Sequence, residues 1–369
     1  MKYLYFLPIL LLLSCGNKKE PIEEIPMIVG TYTGSGSYGV YSLAFDQENG
    51  SFRIVDSLQA VNPSFLIFSP DRTKIYSVNE VEDDKAGVSA IAFDAASGKM
   101  SLINGEATES GAPCYLATNG KFVSTANYSG GTMSILPLSD DGKLLPIDTL
   151  YSGSIGGPDT TRQELPHLHC TVFSPDGKYL FASDFSADRL LTYQMTEDGR
   201  KVEPLKDENG EQIVLNLDPD YGPRHIIFDE KGKHGYVIGE LSGHITVMDY
   251  NEGRLSPVQV VDADPYDGRG SADIRLSHDN QFLYASNRLK GDGITIFSVE
   301  PDTGLLSYVG YQSTGIHPRN FNITPNDKFL LVACRDTNEI EIYERDPESG
   351  LLTRTSSDIS IPAPVCIEF

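Results

Sequence analysis

The sequence contains no tryptophan, and its basic residues fall far short of its acidic ones: 29 Lys and Arg stand against 52 Asp and Glu, a formal net charge of −23 over 369 residues. That deficit argues against a nucleic-acid partner, because neutralising phosphates takes clustered Lys and Arg. Cysteine is scarce. Five occur, with no CxxC or zinc-type spacing, so the four beyond Cys15 (Cys114, Cys170, Cys334 and Cys366) read as small buried side chains. Neither a GxSxG elbow nor a P-loop is present, which leaves serine-hydrolase and nucleotide readings without support. Long segments of helical periodicity are also missing, while 34 Gly, 22 Pro, 19 Tyr and 16 Phe favour an all-β chain rich in turns.

The longest apolar run, "YLYFLPILLLLS" (Tyr3–Ser14), is too short to span a bilayer comfortably and carries Pro8. It follows the basic start Met1–Lys2 and ends in "LLSC" (Leu12–Cys15), which resembles the bacterial lipoprotein box. Residues 1–15 are therefore expected to be a signal peptide ending at a lipidated Cys15. Residues 16–25 would be a polar tether and 26–369 a single folded domain. The expected location is the cell envelope, with the membrane reached only through the lipid.

Length alone suggests two or three domains, but internal repetition overrides it. "FSPDRTKIYSVNE" (Phe68–Glu80), "FSPDGKYLFASDF" (Phe173–Phe185), "FDEKGKHGYVIGE" (Phe228–Glu240), "LSHDNQFLYASNR" (Leu276–Arg288) and "ITPNDKFLLVACR" (Ile323–Arg335) are copies of one unit, with a shorter sixth at Ala117–Tyr128. Third strands of the "ITVF" kind follow each. The N-terminus supplies a second and a third strand (Met27–Thr33, Gly39–Asp46) and the C-terminus an unpaired first strand, "PAPVCIEF" (Pro362–Phe369). Pro63, Pro113, Pro166, Pro223, Ala272, Pro318 and Pro364 recur about 46 to 57 residues apart. The expectation is a seven-bladed β-propeller closed by pairing the last strand with the first blade, which leaves no long open edge.

Within each unit the first strand is expected to be innermost and the second to return beside it. The start of the first strand and the end of the second then share one mouth of the central channel. Residues just after the aligned Pro or Ala are Ser64, Cys114, His167, Arg224, Asp273, Arg319 and Val365. Second strands end in Asn79–Glu80, Asn127–Tyr128, Asp184–Phe185, Gly239–Glu240, Asn287–Arg288 and Cys334–Arg335. Arg224, Arg288, Arg319 and Arg335 thus gather at one mouth of an acidic protein, which reads as an anion or oxyanion site. His167 and His169 are two apart on a strand and share a face. An HxH pair can also ligate a metal, although no third ligand at tight spacing completes a set.

The segments "APCYLATNGKFVSTANYSGGTMSILPL", "RQELPHLHCTVFSPDGKYLFASD", "GPRHIIFDEKGKHGYVIGEL", "FLYASNR" and "GIHPRNFNITPNDKFLLVA" resemble the lactonase family of seven-bladed propellers. That family includes bacterial 6-phosphogluconolactonases and fungal carboxymuconate-lactonizing enzymes. The resemblance covers roughly Ile25 to Phe369 and rests on PHxH, GPRH, GEL, SNR and HPRN in that order. It implies a catalytic group of His167 or His169, Arg224, Glu240 and Arg288. Arg319, Asn127, Asp184, Asp273 and Arg162 are the expected substrate contacts. The implied reaction opens a sugar lactone to its acid by general-base hydrolysis with arginine oxyanion stabilisation. It calls for no cofactor or metal and no partner beyond the small-molecule lactone, in a monomer. Gly239 and Cys334 depart from a family pattern of Asn and are expected to alter substrate preference. A non-catalytic propeller binding an anionic carbohydrate or protein, and a muconate-type cycloisomerase, are the alternatives.

Overall fold

A computed structural model describes residues 24–369; the leader and Cys15 lie outside the described residues. Seven sheets of four or five strands are arranged as blades. The closing blade runs Phe52–Gln59, Gly39–Asp46, Glu24–Thr31 and Pro364–Glu368 from rim to axis. Its innermost strand comes from the C-terminus and pairs antiparallel with Glu24–Thr31, with Val29 opposite Ile367 and Gly30 opposite Cys366. The remaining six blades each start at the axis, with first strands Leu66–Phe68, Pro113–Thr118, Leu168–Phe173, Pro223–Phe228, Ile274–Leu276 and Pro318–Ile323. Neighbouring first strands touch around the channel. The ring closure expected from the unpaired terminal strands is therefore observed.

The "FSPDGK" turns show why the repeat was legible. In Ser174–Tyr179 the Ser174 hydroxyl donates to Asp176 at 2.6 Å and accepts from the Tyr179 N–H at 3.0 Å. The fourth turn residue takes the left-handed conformation, Gly177 at φ +67°. Arg72, Asn280 and Asp327 adopt it in the sister turns, each behind the same Ser or Thr hydroxyl bond. One element was not anticipated. The sequence pattern shows three strands per blade, whereas the structure adds an outer fourth, such as Lys99–Ala107 and Arg254–Asp262. These strands bury little on either face, so polar residues interrupt their alternation and hide the period-2 signal.

Buried Asn residues tie blades together. Asn127 ends a second strand and donates to Thr132 and Ser134 on the third strand, and Ser134 donates to Thr108 O in the incoming connection. Asn287 repeats the scheme through Thr295 and Ala263 O. At the equivalent Gly239 the register places Val237 opposite Thr246, and the Tyr221 hydroxyl occupies the role, bonded to Thr246 at 2.9 Å and to Val237 O. A Cβ on Gly239 would lie 2.5 Å from Tyr221 O. Gly239 is thus a framework exchange of Asn for tyrosine. At Cys334 the neighbouring Glu341 reaches the Gly315 N–H itself. The four described cysteines are buried and free.

Because Tyr221 already fills the slot, Gly239→Asn is expected to destabilise by about 1–3 kcal/mol. A denaturant melt would show it as a lower midpoint with an unchanged slope.

Candidate active site

Glu240 directly follows the second strand His234–Gly239 at the mouth, and its carboxylate is enclosed by Arg224 of the first strand Pro223–Phe228 and by Arg162 and Arg288 of two connections. Oε2 accepts from Arg224 Nε at 3.0 Å. Oε1 accepts from Arg162 Nη2 at 2.8 Å and faces Arg288 Nη2 at 3.4 Å. His169 Nε2 lies 3.8 Å from Oε2. Only 9 % of the Glu240 side chain is exposed. Burial alone would raise its pKa, but Arg288, Arg224 and Arg162 outweigh burial and hold it at about 2. Glu240 is ionised at every physiological pH and has little basicity left.

Two of these arginines are fixed in the same way. Arg224 donates Nη1 to Ala272 O at 2.6 Å and to His225 Nε2 at 3.0 Å. His225 in turn donates Nδ1–H to Asp273 Oδ1 at 2.8 Å. Arg288 donates Nε to Gly270 O and Nη1 to His317 Nε2 at 3.2 Å, and His317 Nδ1 faces Asp336 Oδ2 at 3.7 Å. Each histidine must stay neutral to accept from its arginine. Burial, reinforced by the adjacent arginine, pushes His225 down to about 4 and His317 to about 3. Neither histidine was singled out beforehand; the GPRH and HPRN motifs contain both, but nothing in the spacing shows what their rings face.

His167 and His169 both meet Tyr128, yet their environments differ. The His167 ring stacks on Tyr128 with centroids 4.2 Å apart. Its Nδ1 donates to Tyr128 O at 2.7 Å, because a carbonyl can only accept. That fixes the tautomer with a lone pair on Nε2. Burial lowers the His167 pKa from its ordinary value. His169 is buried beneath Glu240, 3.9 Å from Cys114 Sγ, and burial together with Arg224 drives its pKa well down. As a metal pair they lack a third ligand: no group of three or more His, Cys, Asp or Glu among the described residues is placed to hold an ion.

Arg162 comes from the long connection between Ser152 and Leu168. Gln163 anchors that connection beneath the surface: its amide accepts from Asp159 N–H and donates to Phe185 O and Asp188 Oδ1. Outside, Arg269 bridges Asp159 and Asp220. Arg319 is at the mouth, 3.8 Å from Glu80 and over the Tyr32 ring. Arg335 pairs instead with Asp336.

Three expected substrate contacts lie elsewhere. Asn127 and Asp184 are wholly buried. Asn127 serves the blade tie described above, and Asp184 accepts from Ser154 and Arg189. Both are the first residue of their pair, and strand alternation turns that residue toward the third strand and its neighbour toward the mouth. Asp273 sits deeper in the channel, held by His225, Asn320 Nδ2 at 2.6 Å and Arg275.

With this geometry in hand, the comparisons with known proteins are specific. The profile described as "Lactonase, 7-bladed beta-propeller" matches residues 26–369. The chain belongs to that family. It is 35 % identical over 353 residues to a Bacillus subtilis protein named 6-phosphogluconolactonase, covering 92 % of this chain and 97 % of that one. A solved structure of a provisionally named 6-phosphogluconolactonase from Bacteroides uniformis superposes with a TM-score of 0.91 at 50 % identity, covering 94 % and 99 % of the two chains. The Pseudomonas aeruginosa periplasmic gluconolactonase is 31 % identical with a TM-score of 0.88, covering 94 % and 98 %.

In this lactonase-family chain the depressed pKa values also set acid stability. Unfolded His225 titrates near 6.5 but folded His225 near 4, so the unfolded state takes up protons first and stability falls with pH across that window. Glu240 extends the loss from its ordinary range down toward 2. Chemical melts from pH 7 to pH 4 should show a falling midpoint. His225→Asn should reduce the slope by about one proton.

Proposed function

We propose that this chain hydrolyses a sugar lactone to its acid, with water activated by His167 and the oxyanion held by arginine. The observation that carries the reading is His167 itself: a half-buried imidazole whose Nδ1–H is committed to a carbonyl, leaving Nε2 basic at a mouth lined by four arginines. A general base must be unprotonated at working pH, and the lowered His167 pKa secures that. Arg224 Nη2 makes no hydrogen bond among the described residues, and neither does the Arg319 guanidinium, so both can receive the tetrahedral oxyanion. Each Arg288 nitrogen already has a partner. Glu240, kept ionised, positions Arg224, Arg162 and Arg288 rather than taking a proton.

The names of the Bacillus subtilis and Pseudomonas aeruginosa relatives support a gluconolactone-type substrate. Location is proposed as the cell envelope through lipidated Cys15. The strand Glu24–Thr31 starts on the face opposite the mouth, since Thr31 pairs with Pro364 at the mouth end.

Purified protein assayed on glucono-δ-lactone and its 6-phosphate by proton release should accelerate at least one. The kcat/KM should fall on the acid side, with a midpoint below pH 6.5. His167→Gln should reduce kcat about 10²–10⁴-fold and abolish that acid limb, with the melting temperature preserved. A wild-type rate in His167→Gln would refute the assignment. Labelled-palmitate incorporation lost in Cys15→Ser would test the anchor.

A further inference from the structure

Opposite Glu240, a second carboxylate enters the mouth and is bonded very differently. Glu80 occupies in its own blade the position that Glu240 holds: Asn79 ends the second strand Lys74–Asn79 as Gly239 ends His234–Gly239. Every polar contact of the Glu80 side chain converges on one oxygen. Oε2 accepts from Tyr32 Oη at 2.9 Å and from the Ser64 hydroxyl, and it faces Arg319 Nη2 at 3.8 Å. Oε1 accepts nothing among the described residues. The Arg319 guanidinium beside it likewise makes no hydrogen bond among the described residues, although its side chain is only 16 % exposed. Polar groups this enclosed are normally satisfied. Here a strong acceptor and a planar donor stand side by side, both with capacity left.

The chemistry of the pair defines what fits it. A carboxylate oxygen only accepts and a guanidinium only donates, whereas an alcohol does both. Neighbouring hydroxyls on one ring can donate to Glu80 Oε1 and accept from Arg319 together. An anion alone would suit Arg319 but be repelled by Glu80. An apolar or unsaturated ring would leave both groups stranded at the cost of their desolvation.

We infer that Glu80 is a specificity-determining residue that reads vicinal hydroxyl groups of a polyhydroxylated lactone, with Tyr32 and Ser64 fixing its carboxylate. This rests on the lactone reading above and narrows it to substrates bearing free hydroxyls beside the ring. The asymmetry between the two carboxylates is what points there: Glu240 is saturated by arginines and has nothing to offer substrate, while Glu80 has been left half-used.

The test compares glucono-δ-lactone with δ-valerolactone, which has the ring but no hydroxyls. In Glu80→Gln the amide oxygen can keep the Tyr32 and Ser64 bonds, which places the amide nitrogen where Oε1 was, and that atom cannot accept. KM for glucono-δ-lactone should rise about tenfold with kcat nearly unchanged, and both parameters for δ-valerolactone should stay as in wild type. Equal effects on the two substrates, or none on either, would overturn the inference. Glu80→Asp, which retracts the carboxylate, replaces Glu80→Gln if circular dichroism shows that variant unfolded. Calorimetry with gluconate separates this inference from the hydrolase reading. If wild type opens neither lactone yet binds gluconate, weaker binding by Glu80→Gln still supports the hydroxyl site. Unchanged binding, or no gluconate binding by wild type, overturns it.

Discussion

The mouth of this propeller is organised by one ion cluster: the Glu240 carboxylate and the three guanidinium groups that converge on it. A carboxylate this enclosed would be expelled or protonated without compensation. The arginines would face the reverse problem, since like charges brought together in a poorly solvated space repel. Glu240 resolves both by giving Arg224, Arg288 and Arg162 a common counter-ion. Arg162 and Arg288 come from connections and Arg224 from the first strand of the blade that carries Glu240, so the cluster exists only when neighbouring blades are in register.

The packing of adjacent blades therefore carries an electrostatic role as well. Backbone carbonyls and histidine nitrogens take up Arg224 Nη1 and Arg288 Nε and Nη1. Choosing a neutral imidazole as acceptor is economical in charge. A third carboxylate would bind an arginine more strongly but would erase the positive potential that distinguishes the mouth from the rest of an acidic molecule. The aspartates are instead set one residue further back, behind His225 and His317. There they orient the rings without reaching the mouth.

Much of this was legible because the repeat fixes register. Once Pro223 and Glu240 were aligned with their sisters, Arg224, Glu240, Arg288 and Arg319 had to meet at one mouth, and in the structure they do. Asn127 and Asp184 were misplaced by one step of the same register, since each strand-end pair turns its first residue outward and its second inward. What stayed hidden depends on contacts across blades. Nothing in the sequence says that His225 rather than His169 accepts from Arg224, that Gln163 pins the connection bearing Arg162, or that Tyr221 stands in for the Asn missing at Gly239. The outer strands escaped for a different reason: lying at the rim, they bury too little to leave a periodic trace.

The Glu240 carboxylate also bears on turnover in the proposed reaction. Opening a lactone converts an uncharged ring into an acid, so arginines arranged only to attract negative charge would bind the product better than the substrate. Stabilisation helps only where it is larger in the transition state than in the states on either side. Four arginines without carboxylates would make product release the slow step. With Glu240 occupying Arg162, Arg224 and Arg288, part of the donor capacity of these arginines is already spent before an anion arrives. The donors left, Arg224 Nη2 and the Arg319 guanidinium, can meet an oxyanion at the reacting carbon, while the ionised Glu240 repels the carboxylate once it has formed. The Glu240 side chain is thus as much a part of an anion-generating site as its bases, because it keeps the site's affinity for the anion it makes within limits that permit release.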